Sequence, residues 1–324
     1  MTSSEEQYRA ATEGIGLYDA SQRGRIRLSG SDHLEFMQRL STNDVLNCAE
    51  GAGLQTVFCD PRGRIMQVTD ICRIGADVSY AFVGPDKAPA LIEWLDRFHF
   101  SERIEWEDES DTTEQIEIIG PLAASVAADV LGLDAASEPA LGLLRHTALE
   151  AIRVNVGPHT GIRIWGTDLA DICDKLKTAG AVSLSQDTRE VLRVQWGVPG
   201  EAELTPEHNP WEAGLDDAIH MNKGCYTGQE VVARLDTYNK VKQHLVGLHL
   251  QAPVPSGALL ESNGKAVGVV TSTAQPPGSG PLALAYARTA YCAPDSVLDV
   301  IVESAAPVSS RVSALPFKPS AKFP

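Results

Sequence analysis

Strand-like and helix-like hydrophobic patterns alternate along the first 240 residues. Residues 24–30 alternate apolar and polar positions, as a half-buried strand does, whereas Leu34, Met37 and Leu40 recur at helical spacing. The same reading predicts further strands near 54–59, 65–74, 115–119, 149–156 and 161–165. It predicts further helices after residue 86 and near 121–131, 168–179 and 187–196. Strands and helices that alternate with hairpin-length turns favour an α+β fold of ferredoxin-like units over a doubly wound sheet.

The helical period is lost from Val241 onward. Short β-rich runs are separated by turn residues there, and Asn263-Gly264 between two apolar runs is a typical hairpin turn. We therefore predict a small β-barrel over residues 241–312. A tail over 313–324, which carries prolines and lysines, is predicted to be mobile.

Composition and charge narrow the classes of function. The chain has 324 residues, 43% hydrophobic and 22% charged, an ordinary globular balance with room for two or three domains. A formal net charge of -16 argues against a nucleic-acid partner, because binding phosphates requires a basic face. No apolar run is long enough to span a bilayer, and Met1–Tyr8 lacks the charged and apolar regions of a signal peptide. We expect no membrane partner.

The cysteines carry information about compartment and metals. All six, at positions 48, 59, 72, 173, 225 and 292, are scattered without a Cys-x-x-Cys pair. This pattern suits a reducing compartment, and we expect a cytoplasmic protein. It provides neither a zinc site nor a complete set of iron–sulfur ligands, so no metal site is predicted.

The segment Lys223-Gly-Cys-Tyr-Thr-Gly-Gln-Glu230 is the most informative stretch for chemistry. Thr227 and Glu230 have capping-box spacing, and the apolar residues that follow predict a helix to about Tyr238. Cys225 is therefore predicted to precede a helix N-terminus, where the partial positive charge and the nearby Lys223 favour the thiolate. The alternative is that Cys225 is a small buried hydrophobic residue, as many free cysteines are.

This motif, continued by Val231-Val232-Ala233-Arg234, resembles the folate-binding family related to the glycine-cleavage aminomethyltransferase, the T-protein. It is most similar to the YgfZ branch, whose members assist maturation or repair of iron–sulfur enzymes. Weaker similarity lies in residues 30–44, 189–199 and 271–286, so the resemblance spans nearly the whole chain.

The resemblance implies a cloverleaf of two interleaved ferredoxin-like units plus a C-terminal β-barrel, with folate in the central channel. Applied to this chain, it places 1–47 with 113–205 in the first unit and 48–112 with 206–240 in the second. It also implies that tetrahydrofolate, or a folate derivative, is the cofactor.

Two departures from the T-protein pattern concern acids near the folate. Gln67 and Val68 stand where the resemblance leads us to expect an aspartate, and Asp70 follows later on the same strand. An amide cannot accept a proton or support a developing iminium cation as a carboxylate does. His159 and Arg163 replace two glutamates, one of which grips the pterin in T-proteins, and a cation cannot accept the pterin's N–H donors. Both departures disfavour aminomethyl transfer.

The resemblance also implies which residues contact the folate. Arg189 matches an arginine that binds the glutamyl carboxylate, a group that a guanidinium can bind in bidentate fashion, and Arg193 is the substitute. The predicted folate-binding residues are Arg189, Arg193, Asn43, Asp44, Tyr226, Gln229 and Trp196. Each type also has a purely structural alternative: an arginine on an exposed helix face, an aromatic ring in the core, or an Asx residue that closes a turn.

The leading hypothesis is a tetrahydrofolate-binding accessory protein for iron–sulfur enzymes, in which Cys225, assisted by Lys223, contacts a client protein or assembly factor. One cysteine cannot hold a cluster alone, so the partner must supply further ligands. The alternative is a folate-dependent aminomethyltransferase or demethylase in which Asp70 or Asp44 replaces the missing acid. A third hypothesis is a binding protein whose ligand is not folate.

Overall fold

The computed structural model describes residues 2–145 and 149–317, and the chain divides into two compact units. The first unit comprises Met1–Ser185 with Asp217–Gln229, and the second comprises Gln186–Asp216 with Glu230–Pro324. The helices of the first unit are α1 (Ser4–Glu13), α2 (His33–Leu40), α3 (Ala88–Asp96), α4 (Ala123–Leu131) and α5 (Ala170–Thr178). Its strands are β1 (Gly16–Asp19), β2 (Arg23–Ser29), β3 (Gly53–Cys59), β4 (Ile65–Gly75), β5 (Val78–Pro85), β6 (Glu105–Asp108), β7 (Glu114–Ile119), β8 (Leu143–Arg145), β9 (Glu150–Val156), β10 (His159–Gly166) and β11 (Val182–Leu184).

The strands of the first unit form two sheets. One has six strands in the order β11-β1-β7-β10-β9-β8, and the other has five in the order β3-β4-β5-β2-β6. In the six-stranded sheet β1 pairs in parallel only with β11, and the other described pairings are antiparallel. The mixture of hairpins and one parallel edge pairing is typical of α+β folds.

Each sheet of the first unit buries one face under helices. Ile118 of β7 packs in one apolar cluster with Ala127 of α4, to which α5 also contributes. Leu28 of β2 packs in another with Met37 of α2 and Leu95 of α3. These side chains lie at every second strand position and on one stripe of each helix, so burial follows from periodicity.

The other faces of the two sheets meet each other. The Trp165 ring of β10 lies with its centroid 5.1 Å from that of Tyr80 and 4.9 Å from that of Phe82, both on β5. Both contacts are edge-to-face, the arrangement that the ring quadrupole favours. Polar side chains share this seam and are described below.

The second unit is built around a closed barrel. It contains α6 (Gln186–Gln195) and almost all of α7 (Gln229–Thr237). The barrel strands are β12 (Gln243–Leu250), β13 (Leu259–Ser262), β14 (Lys265–Ala274), β15 (Leu282–Arg288), β16 (Val297–Ile301) and β17 (Val308–Ser313), closed in the order β12-β15-β14-β13-β16-β17. Asn263 and Gly264 have φ values of 51° and 72°, as a type I′ hairpin turn requires.

The structure confirms the α+β class and the C-terminal β-barrel. Five strands lie outside the predicted set, namely β1, β5, β6, β8 and β11. Four of them have only three or four residues, and β6 is an acidic edge strand whose residue types disfavour strands in isolation. Strand β2 pairs with β5 and with β6. The boundaries of the two interleaved ferredoxin-like units stay a prediction. Residues 318–324 of the predicted tail lie outside the described residues.

Replacing Gly30 by alanine is expected to destabilise the first unit. Gly30 links β2 to α2 with φ of +117°, and a Cβ there would lie 2.1 Å from the carbonyl oxygen of Arg103. Both the backbone conformation and the clash are unfavourable, so urea denaturation should show a loss of about 1–3 kcal/mol. Gly75→Ala is the matched control, since a Cβ at Gly75 meets nothing within 4 Å. Equal stability of the two variants would contradict this explanation.

Candidate functional site

The Lys223–Glu230 segment is anchored through its lysine to the turn that follows α2. The Lys223 Nζ donates to the backbone carbonyls of Gln38, Ser41 and Asn43 at 2.6, 2.5 and 2.8 Å. Burial lowers the pKa of Lys223 to about 8, while the nearby carboxylate of Asp44 acts in the opposite direction. The ammonium thus satisfies carbonyls that the end of α2 and its following turn leave without partners. Lys223 is a structural anchor in this arrangement.

A close backbone contact holds the other end of the segment. Gly228 has φ of +82°, and a Cβ there would lie 2.5 Å from the carbonyl oxygen of Asp60 and 3.2 Å from Gly63. The Asp60–Gly63 turn precedes β4 and is closed by a hydrogen bond from Gly63 N to Asp60 O at 2.9 Å. Only glycine permits both the conformation and the approach, which explains this residue in the motif.

Cys225 lies between these two anchors and is exposed. This exposure excludes the alternative that Cys225 is a small buried hydrophobic residue. By contrast Cys48, Cys59 and Cys72 are buried, and burial raises the pKa of each thiol. Among the described residues, Cys225 is the cysteine most accessible to another molecule.

The predicted capping box at Thr227 and Glu230 is wrong. Helix α7 begins at Gln229, which makes Gly228 the residue before the helix and places Glu230 in its first turn. A capping box needs the hydroxyl residue at the N-cap and the acid three residues later, so Thr227 is one position too early. Cys225 does precede a helix start, by four residues.

Four other predicted residues gather beside Lys223 in the first unit. The Tyr226 ring is buried, with its centroid 5.2 Å from Lys223 Nζ, and Gln229 N donates to the Tyr226 carbonyl at 3.2 Å. Asn43 Nδ2 donates to the carbonyls of Gln55 and Asp217, at 2.8 and 3.1 Å. Asp44 accepts from Asn47 and Gln38, at 2.8 and 2.9 Å, and these bonds lower the pKa of its carboxyl. Asn43 and Asp44 close the turn, the structural alternative named for them.

The remaining predicted folate residues belong to the second unit. All five N–H donors of Arg193 have protein acceptors: the Glu190 carboxylate twice, Glu203 Oε2, the Val198 carbonyl and Ser272 Oγ. Burial opposes its charge, but Glu190 and Glu203 hold the pKa of Arg193 above its ordinary value. This arginine is built into the unit, which argues against its predicted role as a substitute carboxylate binder.

Two further residues of the second unit, Arg189 and Trp196, remain candidates for folate binding. Arg189 lies half-buried on α6, and the Trp196 side chain just beyond that helix is buried. Their roles in folate binding stay predictions.

The first unit contains a buried ionic cluster. Two of its members, Arg163 and Asp70, are residues that the sequence analysis named where this chain departs from the T-protein pattern. Arg163 of β10 donates from Nε and Nη2 to Oε1 of Glu117, at 3.2 and 3.1 Å, and from Nη1 to Oδ2 of Asp70, at 3.1 Å. The exposed side-chain fractions are 7% for Arg163, 4% for Glu117 and 15% for Asp70. Burial opposes the guanidinium charge, but the two carboxylates hold the pKa of Arg163 above its ordinary value.

Sequence reasoning identified Arg163 and Asp70 but missed Glu117. The signal was present: a charged residue between Ile116 and Ile118 in an otherwise apolar strand marks a position that faces away from the helices. His159, at the start of β10, is partly buried, which lowers its pKa.

Metal and membrane features can be stated for the described part of the chain. No group of three or more His, Cys, Asp or Glu side chains in residues 2–145 and 149–317 is arranged to hold a metal ion. Over the same residues, no helix is sufficiently long and apolar to cross a bilayer.

Comparison with known proteins places this chain in a family. A family model described as the GCVT N-terminal domain matches residues 1–223, more than half of the chain. The chain belongs to this family. The sequence resemblance to relatives of the glycine-cleavage aminomethyltransferase is thus confirmed at family level.

Individual relatives agree with this assignment. A putative chloroplastic transferase of Arabidopsis thaliana is 32% identical over 86% of this chain, and the alignment spans 66% of that protein, just under two thirds. The aminomethyltransferase of Bacillus subtilis is 27% identical over 98% of this chain and 91% of its own length. The crystal structure of glycine cleavage system aminomethyltransferase T from Bartonella henselae superposes with a TM-score of 0.88 at 21% identity, covering 97% of this chain and 89% of that one, which shows the shared fold.

Replacing Lys223 by methionine is expected to destabilise the first unit, because three backbone carbonyls lose their donor. Thermal or urea denaturation should show a loss of about 1–3 kcal/mol. Lys175→Met is the control, since the contact of Lys175 within the described residues is an exposed pair with Asp171 on α5. If Lys223→Met folds with unchanged stability, the anchoring role is wrong and a chemical role for Lys223 regains support.

Proposed function

We propose that this chain binds tetrahydrofolate and serves as an accessory protein of iron–sulfur enzymes, with Cys225 as the residue that contacts the client. The observation that carries this proposal is the exposure of the Cys225 thiol in a loop held at both ends by backbone contacts. A loop fixed in this way presents its thiol in a constant position to a partner. A partner must supply the other ligands of any cluster.

The carboxylates that would have to serve aminomethyl transfer are engaged elsewhere. Asp70 is an ion-pair partner of the buried Arg163 and also accepts from Gln55 Nε2 at 3.0 Å. Asp44 holds two side-chain hydrogen bonds that lower its pKa, which makes it a weaker base. Neither group is an evident replacement for the acid missing at Gln67.

Tetrahydrofolate, when bound, would supply a carrier for one-carbon units. The first unit contains donor capacity that suits such a ligand, because Arg163 keeps two N–H groups without an acceptor among the described residues. Tyr226 and Trp196 are the aromatic side chains proposed to pack against its rings, and Arg189 is proposed to bind its glutamyl carboxylate. Gln229, Asn43 and Asp44 are proposed as further polar contacts.

A folate-dependent aminomethyltransferase is the second candidate function, and the comparisons favour it over the accessory role. Relatives named aminomethyltransferase align with this chain over nearly its whole length. In this candidate, Asp70 or Asp44 would support the developing cation. Turnover of an aminomethyl or methylamine donor that depends on tetrahydrofolate would establish it.

Replacing Cys225 by alanine tests the accessory role. In cells that lack the endogenous gene, Cys225→Ala should fail to restore the activity of iron–sulfur enzymes, because the client contact is lost. Purified Cys225→Ala should bind tetrahydrofolate with the affinity of the unaltered protein. Cys173→Ala, at a partly buried cysteine on α5, is the control and should restore activity fully. Full restoration by Cys225→Ala would refute the role.

Isothermal titration calorimetry with tetrahydrofolate tests the ligand. We expect saturable heat with a stoichiometry near one, accompanied by a rise in melting temperature, since a ligand that binds only the folded state stabilises it. Absence of both heat and thermal shift would remove the two folate-dependent functions together and leave a binding protein for another ligand.

A further inference from the structure

The two sheets of the first unit enclose a polar seam on the faces that lack helices. On β7, Gln115 and Glu117 alternate with the core isoleucines and therefore share the face opposite the helices. Arg163 of β10 pairs with Glu117 in register and crosses to Asp70 of β4 in the other sheet. The seam thus holds a cation, two carboxylates and an amide beside the Trp165 ring.

The hydrogen bonds of Arg163 leave part of its capacity unused. A guanidinium has five N–H donors, and the contacts with Glu117 and Asp70 use three of them. One N–H on Nη1 and one on Nη2 therefore have no acceptor among the described residues. An unmatched buried donor costs free energy, which an arriving acceptor recovers.

Gln115 adds an independent observation of the same kind. Its side chain is fully buried, and neither its amide nitrogen nor its amide oxygen has a hydrogen-bond partner among residues 2–145 and 149–317. Buried polar groups in folded proteins nearly always find partners in protein, water or ligand. The unmatched N–H groups of Arg163 and the unpartnered amide of Gln115 lie on the same face of the sheet. They indicate that a polar molecule supplies hydrogen-bond partners there.

The charges of the seam determine which acceptor fits. Arg163 faces the two carboxylates of Glu117 and Asp70, so this trio of side chains has one more negative than positive charge. A second anion would be repelled by it, whereas a neutral carbonyl oxygen accepts from a charged donor without that penalty. The guanidinium carbon lies 5.0 Å from the Phe82 centroid, so the aromatic ring covers one face of the group.

Of the two carboxylates that Arg163 contacts, Asp70 is the more exposed. The Asp70 side chain, bonded to Arg163 Nη1, keeps 15% of its surface exposed, and the neighbouring Gln55 is exposed. Nη1 of Arg163 therefore donates to a partly exposed side chain, although Arg163 as a whole is 5% exposed.

We propose that the two unmatched N–H groups of Arg163 bind the ring carbonyl oxygen of a lactam-containing heterocycle, which for folates is the 4-oxo group of the pterin. This inference rests on the proposed folate binding and specifies how the ring is recognised. Arg163 then selects a ligand with an acceptor at that ring position and rejects one with a donor there, because two donors facing each other leave both unpaired.

Calorimetric titration of the full chain with folic acid and with aminopterin tests the selection. The two ligands share the same scaffold but carry an oxo or an amino group at ring position 4. We expect the affinity for folic acid to exceed that for aminopterin by about tenfold or more. Arg163→Lys keeps the cation between the carboxylates but loses the planar fork, so the preference should collapse to near parity. Arg97→Lys, at an exposed ion pair with Glu93 on α3, is the control and should keep the preference.

The outcomes separate this inference from the proposed function. If neither folic acid nor tetrahydrofolate binds, folate binding itself is refuted, and this inference falls with it. If folates bind but aminopterin binds equally well or more tightly, the role of Arg163 is refuted while folate binding stands. A preference that survives in Arg163→Lys also refutes it. The comparison of the two ligands on the unaltered protein needs no variant, so poor folding of Arg163→Lys leaves the test intact.

Discussion

One buried cation joins the two sheets of the first unit. Arg163 lies between Glu117 of its own sheet and Asp70 of the other, and all three side chains are largely removed from water. Such a cluster contributes less to net stability than its geometry implies, because desolvating the charges offsets their attraction. Losing one partner is costly all the same, about 3–5 kcal/mol in comparable pairs, because a charge is left buried and unpaired. The cluster therefore adds little net stability, although the removal of one of its members is costly.

The same constraint shapes the chemistry that the first unit can perform. Asp70, the next carboxylate along the chain after Gln67, accepts hydrogen bonds from Arg163 and from Gln55. Both oxygens of this carboxylate thus already accept hydrogen bonds from protein donors. Members of one fold family can thus share architecture while the reactive groups differ, and function has to be argued from the site.

The loop that carries Cys225 contains two motif residues whose structural role is clear. Lys223 and Gly228 are explained by carbonyl contacts and by close backbone approach, with no reactive role required. The exposed cysteine has no comparable structural explanation among the contacts described. Free cysteines are more commonly buried, so exposure of this one is the informative departure.

Periodicity and turn residues were enough to determine the α+β class, the C-terminal barrel and the Asn263-Gly264 hairpin, whereas the role of Cys225 stays a prediction. These features depend on side chains near one another along the chain, where spacing alone decides which face is buried. The partners of Lys223 and Arg163 were decided only in the tertiary structure. Gln38 is 185 positions from Lys223, and Glu117 is 46 positions from Arg163. No local pattern encodes which distant group a buried charge will meet, because that depends on how strands and turns pack, and the cost of leaving a charge unpaired is settled only there.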